Sequence, residues 1–336
     1  MYSVITPIYR NAESIPALIS EFENIAVVVQ RRFGIPTEFV FVVDRSPDES
    51  YERLEEALPR AKLHSQLILH SRNFGSFAAI RTGLRYARGD YVGIISADLQ
   101  EPPSILVSFL EAMLKVPCDV AIGVRQGRDD PAVSRLAANL FWRIYRRLVV
   151  KEISPGGVDI FGCNRKVRDE LLKLEEAHSS LLAQIFWLGF RRTEIGYKRI
   201  ARTYGKSAWT FRKKINYLLD SIFAFTDLPI RILTLIGIVG TCFACLFGIL
   251  IIVFRLTGQF HVPGYATTMA VIMFFGALNI LGLGLVGAYT WRGYENTKRR
   301  PLSVVQSARV CDGSSGILVQ YEGNDGTERQ QSRLGA

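Results

Sequence analysis

The chain has 336 residues, enough for one large domain with additions or for two domains, and 49% of them are hydrophobic, so a sizeable core is available. Its net charge of +10 points to a polyanionic partner: nucleic acid, anionic lipid or a phosphorylated substrate. The five cysteines (118, 163, 242, 245 and 311) have neither metal-ligand spacing nor a disulfide framework, which excludes a zinc module and fits a reducing compartment.

The first residues, "MYSVITPIYRN", open directly on a strand-like stretch without a basic n-region, so no signal peptide is expected. Over residues 1–125 strand and helix signals alternate. The strand-like runs are "YSVITPIY", "EFVFVVD" (38–44), "QLILHS" (66–71), "YVGIISA" (91–97) and "DVAIGV" (119–124). Helical patterns follow Glu13, occupy "FGSFAAIRTGLRYARGD", and occupy "PPSILVSFLEAMLK", where Pro102 and Pro103 suit a first helical turn. Apolar strands alternating with helices predict an α/β fold around a parallel sheet covered on both faces. Such sheets bind ligands at the carboxyl ends of their strands, and Asp44 and Asp98 fall at such ends.

Further on, "PAVSRLAANLFWRIYRRLVV" (131–150) reads as a basic amphipathic helix, and 166–190 as another. "KKINYLLDSIFAFTDLP" (213–229) has apolar residues at helical spacing behind a basic start, as in a helix lying in a membrane interface; an ordinary core helix has the same pattern. Two uncharged runs follow, Ile232 to Phe254 (23 residues) and Tyr265 to Trp291 (27 residues). Each exceeds the ~20 residues that cross a bilayer core. The ten-residue linker "RLTGQFHVPG" makes them a hairpin. Residues 191–231 hold ten Lys/Arg against three acids, and Arg292, Lys298, Arg299 and Arg300 follow the second run, whereas the linker holds only Arg255. Positive residues stay inside, so both termini are expected in the cytoplasm. After Asp312 the chain is polar and Gly/Ser-rich, as in a disordered tail.

Several chemistries are absent. No G-x-G-x-x-G follows the first strand, "YGKS" (204–207) lacks the earlier glycine of a P-loop, and no H-E-x-x-H or G-x-S-x-G occurs. What remains is carboxylates at strand ends with arginines beyond them. Asp98 has an amide oxygen two residues on, at Gln100, and oxygen ligands of this kind suit Mg²⁺ or Mn²⁺. The same spacing equally suits a helix N-cap network before "EPPSIL".

The segments "VITPIYRNAESIPALI", "FVVDRSPDES", "SRNFGSFAAIRTGLRYARGDYVGIISADLQEPP", "GVRQGRDD", "GGVDIFGCNRKV" and "YKRIARTYGKSAWTF", followed by the hairpin, resemble the polyprenyl-phosphate glycosyltransferases of glycosyltransferase family 2. That group includes dolichol-phosphate mannose synthases, bactoprenol glucosyltransferases and aminoarabinose-transferring enzymes. The resemblance covers about residues 1–305 in order, and the hairpin looks most like the bactoprenol glucosyltransferase branch.

The resemblance implies a GT-A (Rossmann-like, mostly parallel) catalytic domain over 1–210. An interfacial helix over 211–229, a hairpin over 230–291 (helices about 232–254 and 265–291) and a cytoplasmic tail over 292–336, disordered after about 312, would follow. It implies a nucleotide-sugar pocket at Pro7, Tyr9, Asn11, Glu13, Asp44, Asn73, Gly75, Ser96 and Asp98, and a Mg²⁺ or Mn²⁺ ion on Asp98 and Gln100. Asp98, Asp159 and Arg202 would carry catalysis, and Arg125, Arg128, Arg202, Lys206 and Ser207 would grip the lipid phosphate. Three motifs depart from the pattern: Ser96 stands for the first aspartate of an Asp-Ala-Asp-Leu-Gln motif, Val43-Asp44-Arg45-Ser46 for Asp-Asp-Gly-Ser, and Phe161 for an arginine. The loss of a carboxylate at 96 leaves a non-catalytic or altered-specificity relative, binding lipid or nucleotide, as the alternative. A processive polysaccharide synthase is disfavoured, since no Gln-x-x-Arg-Trp occurs.

The expected reaction is inverting transfer of a hexose, glucose by the branch resembled, from a UDP- or GDP-linked donor to polyprenyl (undecaprenyl) phosphate at the cytoplasmic face of the plasma membrane. Membrane lipid is an expected partner and nucleic acid is not; assembly into a homo-oligomer stays open.

Overall fold

The computed structural model describes residues 1–126, 142–143, 145–147, 149–150, 152–153, 158–177, 179–200, 211–257, 264–313 and 317–320. Strands β1 (Tyr2–Ile8), β2 (Thr37–Val43), β3 (His64–His70), β4 (Tyr91–Ile94) and β5 (Val120–Arg125) form where the apolar runs predict them. Helices α1 (Ile15–Phe33), α2 (Ser50–Ala57), α3 (Ser76–Tyr86) and α4 (Ser104–Lys115) connect them. Beyond lie β6 (Val158–Asn164), α5 (Arg165–Lys173), α6 (Leu181–Trp187) and β7 (Arg192–Tyr197). The single helix expected over 166–190 is two, because Ser180 caps a new one: its hydroxyl accepts from the Ala183 N–H. The helix expected over 131–150 lies largely outside the described residues.

The sheet is mixed, which corrects the mostly parallel expectation. Its order is β7-β5-β6-β4-β1-β2-β3-β8-β9, where β8 is Val305–Cys311 and β9 is Leu318–Gln320. The β1–β2, β1–β4, β2–β3 and β5–β7 pairs are parallel, whereas β4–β6, β5–β6, β3–β8 and β8–β9 are antiparallel. Two insertions cause this: β6 runs back between β4 and β5, and the chain returns after the long helices to add β8 beside β3. A tail disordered after about 312 does not hold over β9, which pairs with β8.

Both faces of the sheet are packed. On one, Phe22 of α1 stacks on Phe39 with ring centroids 4.7 Å apart, and the buried Tyr2 hydroxyl donates to the Leu106 carbonyl of α4. On the other, α3 lies so close that a Cβ on Gly83 would stand 2.3 Å from Ile5 Cγ2, so only glycine allows this approach. Burial on this face pushes the Cys163 thiol up to about 12, leaving it protonated and inert.

The long helices are α8 (Leu228–Leu256) and α9 (Tyr265–Thr297), preceded by α7 (Phe211–Phe225). Both are long and apolar enough to cross a membrane, and neither membrane-length stretch is buried against the rest of the chain. Their large side chains, among them Phe243, Leu246, Phe274 and Ile280, are exposed. In water such a surface would be very costly, and lipid tails remove that cost. At the base of the hairpin Arg292 pairs with Asp220 of α7 at 2.8 Å and lies over Phe223. Because β3 precedes the hairpin and β8 follows it in one sheet, both ends of the hairpin lie on the side of the α/β domain.

Candidate functional site

The carboxyl ends of β1, β2, β3 and β4 open onto one rim, and hydrogen bonds knit their loops together. After β1, Asn11 Oδ1 accepts from the Tyr9 N–H at 3.1 Å, tightening the turn. This turn leans on the loop after β2: the Arg10 N–H donates to Ser46 Oγ, the Asn11 N–H to Ser50 Oγ and the Ala12 N–H to Asp48 Oδ2. Burial raises the Asp48 carboxyl, but hydrogen bonds from Ser46, Ser50 and the Ala12 and Ser50 amides outweigh it and hold it below its ordinary value. The Ser14 hydroxyl crosses to the Ala97 carbonyl at 2.8 Å, joining the β1 and β4 ends.

Asp44 ends β2 and is buried. Its Oδ1 accepts from the Phe74 N–H and meets His70 Nδ1, both at 2.8 Å, and its Oδ2 accepts from the Gly75 N–H at 2.7 Å. Asp44 thus shapes the 73–75 loop. Gly75, at φ +98°, adopts a backbone conformation that other residues resist, and Asn73 is exposed at the rim. His70 is fully buried, with Nε2 2.8 Å from Thr82 Oγ1.

After β4, Asp98 is half-buried and its Oδ1 accepts from the Ser96 hydroxyl at 2.7 Å and from the Gln100 N–H at 3.2 Å. The Ser96 hydroxyl also contacts Glu101 Oε2, whose side chain is 3% exposed. Arg199 reaches in from beyond β7: its guanidinium donates to Gln100 Oε1 at 2.5 Å, and its Nε lies 3.9 Å from Glu101 Oε1. The Ile200 N–H donates to the Gln100 carbonyl at 2.8 Å.

Three non-glycine residues have left-handed backbones on this rim: Arg10 (φ 58°), Arg45 (φ 47°) and Leu99 (φ 54°). They stand just past the ends of β1, β2 and β4. Such strain persists where surrounding contacts over-determine it, and it clusters at functional sites.

The predicted residues divide as follows. Pro7, Tyr9, Asn11, Glu13, Asp44, Asn73, Gly75, Ser96, Asp98 and Gln100 all lie at or just beyond the carboxyl ends of these strands, with Glu13 exposed. Arg125 closes β5 at the same end of the sheet, by the register that sets it beside Tyr197. Asp159 lies in β6. Arg128, Arg202, Lys206 and Ser207 lie outside the described residues. Glu101, His70 and Arg199 were missed. The signal for Glu101 was an acid directly before a Pro-Pro helix start, and for His70 a histidine at a strand end.

A divalent ion fits part of the predicted donor set. Asp98, half-buried at the rim, is a hard oxygen donor, which suits an ion taking few protein ligands. Gln100 Oε1 is engaged by Arg199. Among the described residues no group of three or more His, Cys, Asp or Glu side chains could hold a metal, so an ion here would draw its remaining ligands from substrate and water.

A family model described as glycosyl transferase family 2 matches residues 3–175. The chain is 33% identical over 309 residues to the undecaprenyl-phosphate 4-deoxy-4-formamido-L-arabinose transferase of Pectobacterium atrosepticum, covering 90% of this chain and 92% of that one. It is 28% identical over 314 residues to the putative glycosyltransferase CsbB of Bacillus subtilis, covering 92% of each. Among solved structures it is similar to glucosyl-3-phosphoglycerate synthase from Mycobacterium tuberculosis in complex with uridine diphosphate, with TM-score 0.45 and 17% identity over 68% of this chain and 81% of that chain. That likeness is too distant to assign a substrate. The family model and the full-length relatives establish that the chain belongs to glycosyl transferase family 2 and is a glycosyltransferase.

Proposed function

We propose that the protein transfers a hexose, glucose in the first instance, from a UDP- or GDP-linked donor to polyprenyl phosphate, with inversion, at the cytoplasmic face of the plasma membrane. The observation that carries this is the alignment of 90% of the chain, a span long enough to include the hairpin, with a relative named for transfer to undecaprenyl phosphate. The fold supports it by setting the rim and both ends of the hairpin on one side.

The donor nucleotide lies against the loops after β1, β2 and β3, in a GT-A arrangement. Its diphosphate points to Asp98. Mg²⁺ or Mn²⁺ held by Asp98 would neutralise charge on the departing nucleoside diphosphate. The acceptor is a phosphate monoester with a second pKa of about 6, so it is largely ionised near neutrality and needs no strong general base. Asp159 then orients groups or shapes the local field. Arg125, with Arg128, Arg202, Lys206 and Ser207, offsets the repulsion between the two phosphates. The gain comes mainly from holding both anions in one pocket. The helix α7 lies in the interface with its basic start, where each Lys or Arg contributes ~1 kcal/mol toward anionic lipid.

Membranes containing the protein, given labelled UDP- and GDP-sugars with undecaprenyl phosphate, are expected to yield a solvent-extractable lipid-linked sugar in the presence of Mn²⁺ or Mg²⁺. No lipid-linked product from any donor would overturn the proposal, and product from a sugar other than glucose would overturn that choice alone.

A further inference from the structure

The residues that follow the second long helix do more than extend the sheet. Three direct contacts tie them to the loops of the rim. The Gln306 Oε1 accepts from the Arg45 guanidinium at 2.7 Å. The Val304 carbonyl accepts from the Ser71 N–H at 3.0 Å. The Ser303 hydroxyl lies 2.8 Å from Thr82 Oγ1, which continues to His70 Nε2 and, through Nδ1, to Asp44.

Every group in this chain has a hydrogen-bond partner: Ser303 Oγ meets Thr82 Oγ1, Thr82 Oγ1 meets His70 Nε2, and Nδ1 meets Asp44 Oδ1. Asp44 in turn holds the Phe74 and Gly75 amides. The pairing of β8 with β3 shifts register between Leu69 and His70, the point where β3 delivers the histidine. Such irregularities re-aim a side chain. The path from α9 is short: residues 298–304 separate it from β8 and include the left-handed Arg299 and Pro301. At its start Lys298 lies over the rings of Trp291 and Tyr294. There is little slack between the hairpin and the rim.

Loops at strand ends are the parts of a fold that open at least cost, and binding requires them to be held in place by their supports. We propose that Ser303–Gln306 is a return latch: it positions Arg45 and the 71–75 loop, so nucleoside diphosphate binding depends on residues delivered from the far end of the membrane hairpin. Ser303, Gln306, Thr82 and His70 are positioning residues in this scheme. The inference rests on the reading above that the donor occupies the ends of β1, β2 and β3.

The test uses the full-length protein in detergent with Mn²⁺, titrated with UDP and with GDP, and compares wild type with Ser303→Ala, Gln306→Ala, the double variant and Ser303→Thr. Each single alanine is expected to weaken binding of the preferred nucleotide by about 3- to 10-fold, the range of one net hydrogen bond. The double variant is expected to lose more, and Ser303→Thr to restore affinity. Undecaprenyl phosphate affinity should stay near wild type, and the nucleotide loss should persist in titrations made well below each variant's thermal midpoint, which a purely structural edge strand would not predict. A double variant that binds nucleotide like wild type overturns the latch and leaves the donor site standing. A nucleotide loss that only tracks a fall in thermal midpoint and in lipid affinity overturns it as well. A wild-type protein that binds neither nucleotide overturns the donor-site reading and the latch with it.

Discussion

Asp44→Asn isolates the role of a buried carboxylate that holds a loop of the rim. Asp44 Oδ1 serves the Phe74 N–H and His70 Nδ1, and Oδ2 serves the Gly75 N–H. Asparagine offers one oxygen. With that oxygen at the Oδ1 position, the amide NH₂ faces the Gly75 N–H. Flipped, it satisfies Gly75 and turns its NH₂ toward His70 Nδ1, but it then faces the Phe74 N–H. In either orientation one half-buried backbone donor loses its acceptor, which costs up to about 1–3 kcal/mol. For a domain of this size each kcal/mol moves the thermal midpoint by roughly 2–4 °C, so a fall of roughly 2–12 °C is expected. Because the orphaned amide belongs to the 73–75 loop, nucleotide affinity should fall as well. Thermal unfolding in detergent, followed by UDP and GDP titration below the variant's midpoint, measures both. A variant with wild-type midpoint and affinity would refute the view that Asp44 acts by shaping this loop.

Asp98→Ala should lower turnover by about 10²-fold or more, the scale of removing one group that stabilises transition-state charge, and wild type treated with a chelator should lose activity that Mn²⁺ restores; product formation in membranes reads both. Asp48 has a folded-state pKa below its ordinary value of 3.8, so its contribution to stability is present above that pH and lost as pH falls through the lower folded value. Asp48→Asn should therefore be less stable than wild type near neutrality and should converge with it in acid, as seen in denaturant midpoints measured across that range. Gly83→Ala sets helix propensity, a gain of about 1 kcal/mol, against a Cβ 2.3 Å from the buried Ile5, and overpacking at about 1–3 kcal/mol wins. The variant should unfold at lower temperature, and pairing it with Ile5→Ala, which removes the clashing Cγ2 methyl, should cost less than the sum of the two single losses.

How far this architecture can be read from the chain depends on which signals are local. The first five strands and three of the four helices between them are legible because each apolar run is bounded by its own turn chemistry, and the two long helices because nothing charged interrupts them; the short α2 is not among them. Asp44 and Asp98 are found at strand ends for the same reason. The sheet order is not local. "VDIFGCN" turns back between β4 and β5, and "VQSARVC" returns across the hairpin to β3; each has β-branched residues, but nothing in either names its partner strand. That is why a parallel sheet was expected where a mixed one forms, and why Glu101, His70 and Arg199 were missed. Their roles come from neighbours brought by other strands.

The return of β8 also changes what Asp44 can be taken to do. From the chain alone, an aspartate at a strand end reads as a ligand-facing acid. In the fold Asp44 is 2% exposed and both its oxygens are engaged by the 73–75 loop and His70, so its carboxylate shapes that loop. The chain that fixes it ends at Ser303, just beyond the second long helix. A fragment ending before the hairpin would leave the β3 edge and Thr82 without these partners, while Asp44 would keep its amide donors and its histidine. The rim at the strand ends is therefore a product of two stretches of chain separated by the hairpin, and the long helices contribute to it by carrying the second stretch back.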